Sequence, residues 1–310
     1  MGRIRIFLLG KFCFQCDQQV VGGLDGKKTQ ELLCFLLIFR RNPHTREKIA
    51  NLLWEDKSDS QSKQYLRQTL WQIQSSLDGI WSADKSLITV ESDWLQINGE
   101  ANLWVDIVQL EQAFALAQGS QGHLLTPSKA RKLMYAAGLY RGDLLETCYQ
   151  DWCILERERF QNTYLAILDW LVDYCLACRD YAAGVDYGMQ LLRCDIARER
   201  THRKLMRLHY LNNNRTGALR QYQRCRQVLE QEFEVEPATR TVDLYNQIRD
   251  GRPLDPDKLP GKDSAEEMTT KGEHTHVLKR LNHITEAVQA AHKQIAKDVE
   301  AVRLAIADKR

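Results

Sequence analysis

A face rich in glutamine, arginine and tryptophan runs along one side of the segment SDSQSKQYLRQTLWQIQSSL, residues 58–77. Opposite this face, Leu66, Leu70, Ile73 and Leu77 recur at steps of three and four residues, which is typical of a helix docked on a core. Glutamine and arginine carry paired hydrogen-bonding groups that read base edges, and a helix fits the major groove of DNA. The segment therefore predicts a recognition helix, the alternative being an ordinary solvated helix face. The candidate DNA-binding residues are Lys63, Gln64, Arg67, Gln68, Trp71 and Gln72.

Trp71 is the aromatic member of this face, and two interpretations of it stay open. An exposed indole could contact thymine methyl groups, whereas a partly covered one would pack against a neighbouring hairpin. Lys63 and Gln72 lie at the two margins of the face. The sequence alone does not decide which of these side chains reach DNA.

Other groups of residues resemble reactive sites but lack the necessary surroundings. Cys13 and Cys16 lie in a strand-like segment, where their side chains face opposite ways. Cys175 and Cys178 lie in an apolar helical segment, so buried thiols are favoured over a zinc site. Residues 26–29, GKKT, lack the upstream glycine of a phosphate loop. Because no acid–base or metal constellation emerges, we expect no enzyme activity, no metal and no cofactor.

Length and composition indicate a globular protein of two or three domains. The chain has 310 residues, of which 44% are hydrophobic, and a formal net charge of +2. A dedicated nucleic-acid binder is usually more basic, so any DNA-binding surface must be a local patch. Nine cysteines, an odd number, fit free thiols in a reducing compartment. No apolar run is long enough to span a bilayer and no signal peptide is recognised, so we expect a cytoplasmic protein.

The first 100 residues have the pattern of a winged helix-turn-helix domain. Alternation over residues 3–21 predicts a hairpin or meander, and helices are expected over 27–41, 45–56 and 58–77. Residues 86–98 then read as a hairpin, the wing. Candidate DNA-contacting residues of the wing are Lys85, Ser92 and Trp94, although a hairpin aromatic more often packs across the strands.

Residues 101–250 are predicted to form an all-α domain of tetratricopeptide type. At an offset of 34 residues, Leu171 matches Leu205 and Gly184 matches Ala218. Small residues where paired helices cross, with large residues between them, are what such a helix hairpin requires. The overall class is therefore mainly α, with an α+β winged helix first and the helical domain second.

A flexible linker and an amphipathic helix are expected after residue 250. Residues 251–275 are rich in proline, glycine and charge, whereas residues 276–310 carry an apolar stripe with a period of about 3.6 residues. A tethered helix cannot bury such a stripe alone, so it must pack on its own domains, on a second copy or on another protein. Its candidate association residues are Leu281, Ile284, Val288, Ile295, Val299 and Val302.

The order of several short motifs over residues 3–250 resembles a known family. These motifs are Leu24-Asp25-Gly26-Lys27-Lys28, Thr45-Arg46-Glu47, Leu53-Trp54, Leu66-Arg67, Trp104-Val105-Asp106, Gly142-Asp143-Leu144-Leu145, Asp151-Trp152, Glu156-Arg157 and Glu232-Phe233-Glu234-Val235-Glu236-Pro237. Together they are similar to bacterial transcriptional activators in which an OmpR-type winged helix precedes a tetratricopeptide-like activator domain. The antibiotic regulatory proteins of actinomycetes belong to this family.

The resemblance implies a transcription regulator that binds repeated DNA sites and contacts RNA polymerase. It implies that the loop between the second and third helices, residues 55–62, faces the polymerase, with Glu55, Asp56 and Asp59 suited to a basic surface. The helical domain and the C-terminal helix would then mediate homo-oligomerisation or bind a protein partner. This chain departs from the family at Gln72, Gln74 and Ser75, where several arginines are usual.

Two functions follow from these patterns. The first is a transcription activator that binds double-stranded DNA. The second is a protein-interaction adaptor whose winged helix has weak or lost DNA affinity, because Lys63 and Arg67 are the only cations on the third helix.

Overall fold

A computed structural model describes residues 4–78, 86–99 and 103–254. These residues lie within one compact unit, Met1–Asp257. The predicted C-terminal helix, all of the linker after residue 254 and the wing residue Lys85 lie outside the described residues. No helix in the described ranges is long and apolar enough to cross a lipid bilayer.

A four-stranded sheet begins the fold. Its strands are β1 (Ile4–Phe7), β2 (Cys13–Cys16), β3 (Gln19–Val20) and β7 (Leu103–Val105), in the order β3-β2-β1-β7. The first three form the antiparallel meander expected from the sequence, whereas β7 pairs in parallel with β1. The domain boundary expected at residue 100 therefore precedes a strand that completes the N-terminal sheet.

Three helices and a second sheet complete the winged helix. The helices are α1 (Lys27–Ile38), α2 (Arg46–Leu53) and α3 (Asp59–Leu77). The second sheet consists of β4 (His44–Thr45), β5 (Ile88–Glu91) and β6 (Trp94–Ile97), in the order β4-β6-β5. The predicted winged helix is thus confirmed, although α1 and α2 each end three residues before the predicted ends. The Thr45 hydroxyl caps α2, accepting a hydrogen bond from the Lys48 amide at 3.3 Å.

The remainder is helical, as predicted. Its helices are α4 (Asp106–Ala117), α5 (Pro127–Leu139), α6 (Asp151–Cys178), α7 (Tyr181–Cys194), α8 (Glu199–Leu211), α9 (Arg215–Phe233) and α10 (Thr239–Arg249), with a short 3-10 helix at Gly122–Leu124. The small residues of the repeat lie where helices approach each other. A Cβ atom on Gly184 would lie 2.7 Å from Leu208 Cδ2, and one on Gly188 would lie 2.6 Å from Leu205 Cδ2. Glycine therefore permits the close packing of α7 on α8.

A buried ion cluster joins α8 to α6. The Lys204 side chain is only 2% exposed, and its Nζ lies 2.7 Å from both Asp169 Oδ1 and Asp173 Oδ1. Arg200 adds a longer contact of 3.5 Å to Asp169 Oδ2. Burial opposes ionisation of Asp169, but Lys204 and Arg200 outweigh it and hold the pKa of Asp169 below its ordinary value. The Lys204 ammonium group thus forms ion pairs with two carboxylates inside the helical domain.

Asp106, the first residue of α4, connects the helical domain to the N-terminal sheet. Its Oδ2 accepts hydrogen bonds from the Leu8 and Leu9 amides at 2.8 and 2.9 Å, and its Oδ1 accepts one from the Ile107 amide at 2.7 Å. The residue is fully buried. Burial raises the pKa of Asp106 to about 6, even though these three amides favour the ionised form.

This raised pKa predicts that the Asp106 contribution to stability decreases as the pH rises. The carboxyl group titrates near 3.9 in the unfolded chain and near 6 in the folded one, so the folded state binds more protons between these values. We expect the contribution to be fully present below about pH 4 and to fall by about 3 kcal/mol by pH 7. Urea unfolding of the wild type and of Asp106→Asn at pH 4 and pH 7 measures it. A stability difference between the two proteins that does not change with pH would contradict the assignment.

Candidate nucleic-acid interface

Helix α3 turns its apolar stripe to the core and its glutamine-rich face outward. Leu66, Leu70, Ile73 and Leu77 are between 1% and 5% exposed. On the opposite side Trp71 is 68% exposed, so it does not lie beneath the wing. Gln64, Arg67, Gln68, Gln72, Gln74 and Ser75 are also exposed, whereas Lys63 is half-buried.

The two margins of this face are bound to the rest of the domain. On one margin, Lys63 Nζ forms an ion pair with Glu47 Oε1 of α2 at 3.3 Å. On the other, Gln72 Nε2 donates a hydrogen bond to the Gly23 carbonyl at 3.1 Å. Two of the predicted DNA-binding side chains therefore already have partners within the protein.

The side chains between these margins remain available. Within the described residues, no hydrogen bond engages the side chains of Gln64, Gln68 or Trp71. Arg67 forms only a long intrahelical bond, from Nε to the Lys63 carbonyl at 3.4 Å. The four side chains occupy one continuous face and can offer their hydrogen-bonding groups to a ligand.

Contacts at both ends fix the orientation of α3. At the N-terminal end, the Ser62 hydroxyl donates to the Trp54 carbonyl at 3.1 Å, and the Tyr65 ring lies 6.2 Å from the Trp54 ring. At the C-terminal end, Gly23 approaches Ser76 so closely that an added Cβ atom would lie 2.5 Å from Ser76 Oγ. Gly23 has a φ of +82°, which also favours glycine. The polar face is therefore held on a rigid element.

The wing hairpin lies beside the start of α2. Trp94 in β6 pairs with Thr45 in β4 and with Glu91 in β5, and it is 47% exposed. The hairpin turns at Ser92, whose φ is +50°, and the Asp93 carbonyl accepts a hydrogen bond from the Arg46 amide at 2.7 Å. Trp94 thus has the cross-strand neighbours expected of a hairpin aromatic while much of its ring stays accessible.

The loop between α2 and α3 is shorter than the predicted one. The family resemblance implied a loop over residues 55–62, whereas the apolar pattern predicted a helix over residues 58–77. Helix α3 begins at Asp59, so the connection covers only residues 54–58. Glu55 and Asp56 are exposed in this loop, and Asp59 is exposed in the first helical turn. Lys57 is exposed between them, which makes the surface less acidic than the three carboxylates alone suggest.

A set of contacts missed by the sequence analysis joins the winged helix to the helical domain. We call it the junction, and it comprises Phe35, Phe39 and Leu52 on one side and Gln150 and Trp152 on the other. The Trp152 ring lies edge-on to Phe35 with centroids 5.4 Å apart, and 6.5 Å from Phe39. Gln150 Nε2 donates to the Leu52 carbonyl at 2.8 Å, while Gln150 Oε1 accepts from Trp152 Nε1 at 2.9 Å. The helical domain therefore contacts α1 and α2 directly.

Three arginines support the junction from its edges. Arg157 donates to the Leu144 carbonyl at 2.8 Å and to the Cys148 carbonyl at 2.9 Å, so it shapes the loop that precedes α6. Arg40, two residues after the end of α1, lies 2.9 Å from Glu111 of α4, and Arg159 of α6 lies 3.0 Å from the same carboxylate. The sequence identified Asp151-Trp152 and Glu156-Arg157 only as family motifs. Those motifs did not predict that this part of the helical domain packs on the winged helix.

The residues that the structure describes contain no group of three or more side chains arranged to bind a metal ion. The thiols of Cys34, Cys148 and Cys153 are buried beside the junction. Burial raises the pKa of Cys34 well above its ordinary value and that of Cys153 to about 12. The thiols of Cys34 and Cys153 therefore stay protonated and act as small apolar side chains.

Two comparisons with known proteins yield matches. Residues 105–249 match the family described as the bacterial transcriptional activator domain. Among solved structures, Mycobacterium tuberculosis EmbR, in complex with a low-affinity phosphopeptide, matches with a TM-score of 0.63 and 19% sequence identity. The alignment covers 87% of this chain and 71% of the EmbR chain, and at this identity it shows a shared fold. No curated protein matches this sequence.

Proposed function

We propose that this protein is a transcription regulator that binds promoter DNA through α3 and its wing, because residues 105–249 match the bacterial transcriptional activator domain. The binding sites are repeated on the DNA, so that several copies add their affinities. The expected result of binding is activation of transcription, and no catalytic step is involved.

The observation that carries this proposal is the exposed face of α3. Gln64, Arg67, Gln68 and Trp71 project from a helix anchored at both ends, and the first three carry groups that pair with base edges. A rigid helix with unengaged polar side chains fits the major groove without reorganisation. The wing residue Trp94, 47% exposed, is a second contact, and Ser92 at the hairpin turn can reach the phosphate backbone.

We assign the contact with RNA polymerase to the α2–α3 loop. Glu55 and Asp56 are exposed in this loop and Asp59 in the first turn of α3, and all three suit a basic patch on the polymerase, although Lys57 limits the charge of the surface. The helical domain and the C-terminal helix, residues 276–310, are proposed to hold copies together or to bind a protein partner. Leu281, Ile284, Val288, Ile295, Val299 and Val302 supply the apolar stripe of that helix.

The test is fluorescence-anisotropy titration with DNA from the region upstream of the gene, at two salt concentrations and with unrelated DNA as competitor. Arg67→Ala should weaken specific binding about 5- to 100-fold, because it removes a base-contacting cation. The matched control is Arg220→Ala, which removes an exposed arginine from α9. We expect the control to bind like the wild type, and transcription in cells should follow the same order.

An adaptor without strong DNA affinity is the second candidate, favoured by the scarcity of free cations on α3. Lys63 pairs with Glu47, and Arg67 is the other cation on the helix. Each phosphate contact that a protein lacks weakens binding and flattens its salt dependence. No binding at low salt by a folded sample, or regulation that survives Arg67→Ala intact, would favour the adaptor over the activator.

A further inference from the structure

The pattern of engaged and free side chains on α3 indicates which DNA sequences it prefers. We propose that α3 reads a short half-site of three to four base pairs that is rich in A·T pairs and contains one guanine. This inference rests on the proposed function, since it concerns the same face of α3. It goes further by separating side chains that read bases from those that position the helix.

The two residues at the margins of the α3 face, Lys63 and Gln72, do not read bases. The Gln72 amide is bound to the Gly23 carbonyl, so its hydrogen-bonding capacity holds the C-terminal half of α3 on the loop at residues 22–26. The Lys63–Glu47 pair is partly exposed, with side chains 44% and 62% accessible, and such pairs are weak enough for Lys63 to exchange Glu47 for a phosphate. Gln72 is therefore a positioning residue and Lys63 a backbone contact.

The remaining exposed face of α3, from Gln64 to Trp71, is short. Gln64 and Trp71 are seven residues apart, which corresponds to about 10 Å along a helix that rises 1.5 Å per residue. Base pairs are spaced about 3.4 Å apart along each DNA strand. The face therefore spans about three base-pair steps, so one copy of the chain reads only a short sequence.

The four side chains on this face, those of Gln64, Arg67, Gln68 and Trp71, differ in the bases that they can recognise. A glutamine amide forms two hydrogen bonds with adenine N6 and N7, and Gln64 and Gln68 lie one helical turn apart in the same row. Trp71, 68% exposed, offers an apolar surface to the thymine methyl group. Arg67 is the single residue of the four suited to the O6 and N7 atoms of guanine. Three of these four side chains, those of Gln64, Gln68 and Trp71, therefore favour A·T pairs.

The experiment selects duplexes that bind the full chain from a pool with randomised positions and then replaces single bases in the enriched sequence. Replacing adenine by 7-deazaadenine removes the N7 acceptor, and replacing thymine by uracil removes the methyl group. We expect each replacement to weaken wild-type binding about fivefold or more. In Gln68→Ala, replacing adenine by 7-deazaadenine should not weaken binding further. In Trp71→Ala, replacing thymine by uracil should not weaken binding further.

Two glutamine variants control for general damage. Gln72→Ala should weaken binding to all duplexes by the same factor and leave the base preference unchanged, since its role is positioning. Gln223→Ala, at an exposed position on α9, should leave both affinity and preference unchanged.

The outcomes separate this inference from the proposed function. Enrichment of A·T-rich half-sites with one guanine supports both. Enrichment of half-sites made of G·C pairs, or a changed base preference in Gln72→Ala, overturns the inference and leaves DNA binding intact. A pool in which nothing is enriched by a folded chain overturns the proposed function itself.

Discussion

Lys204→Met should lower the free energy of unfolding by about 3–5 kcal/mol, because it removes the cation shared by two largely buried acidic side chains and leaves only Arg200, at 3.5 Å, beside Asp169. Lys204 Nζ lies 2.7 Å from Asp169 Oδ1 and from Asp173 Oδ1, and the lysine side chain is only 2% exposed. Methionine fills a similar volume, so the loss reports charge rather than a cavity. Urea or thermal unfolding followed by far-UV circular dichroism measures it, provided that the transition is two-state.

Two further variants test whether the unpaired charges cause the loss of stability in Lys204→Met. Lys204→Met combined with Asp169→Asn and Asp173→Asn removes the isolated charges and should recover part of the lost stability. Lys132→Met, which replaces an exposed lysine on α5, should stay within about 0.5 kcal/mol of the wild type. A single variant Lys204→Met as stable as Lys132→Met would show that the ion cluster does not hold α8 on α6.

Trp152→Ala should also cost about 3–5 kcal/mol, since it empties the centre of the junction. Trp152 is 9% exposed and packs edge-on against Phe35 of α1. The variant removes this aromatic contact and also the indole N–H that donates to the side-chain amide oxygen of Gln150, Oε1. We expect weaker attachment of the winged helix to the helical domain, visible as faster hydrogen exchange of α1 amides and earlier proteolysis near residue 150.

The matched control for this prediction is Trp71→Ala. The same truncation at a position 68% exposed removes little buried surface, so its stability should change by about 0.5 kcal/mol or less. Its effect should instead appear in DNA binding. Equal stability losses in the two variants would mean that Trp152 does not hold the junction together.

The sequence predicted helices well because their signals are local. Periodic apolar residues and capping positions placed α3 within one residue of its start, and the repeat of small and large residues located the packing of Gly184. The exposed face of α3 followed directly from the same periodicity. Strand β7 was missed because three residues carry too little pattern, and its partner β1 lies about 100 residues away in the chain.

The long-range contacts that complete the candidate site could not be predicted. The bond from Gln72 to the Gly23 carbonyl spans 49 residues, and the pair between Lys63 and Glu47 depends on the angle between α2 and α3. Both side chains were predicted to contact DNA from helical phase alone, which cannot show that a partner within the protein already occupies them. The contacts of the junction could not be predicted for the same reason, since Trp152 and Phe35 meet only in the tertiary fold.

The parallel pairing of β7 with β1 has a practical consequence for dissecting the protein. A fragment that stopped at residue 100 would expose the edge of β1 and leave the Leu8 and Leu9 amides without the Asp106 carboxylate. An open strand edge beside unpaired amides invites edge-to-edge aggregation. Insolubility of such a fragment would therefore say nothing about whether the winged helix folds. A winged-helix fragment made to test DNA binding should extend at least through α4, to Ala117, so that the sheet keeps its fourth strand.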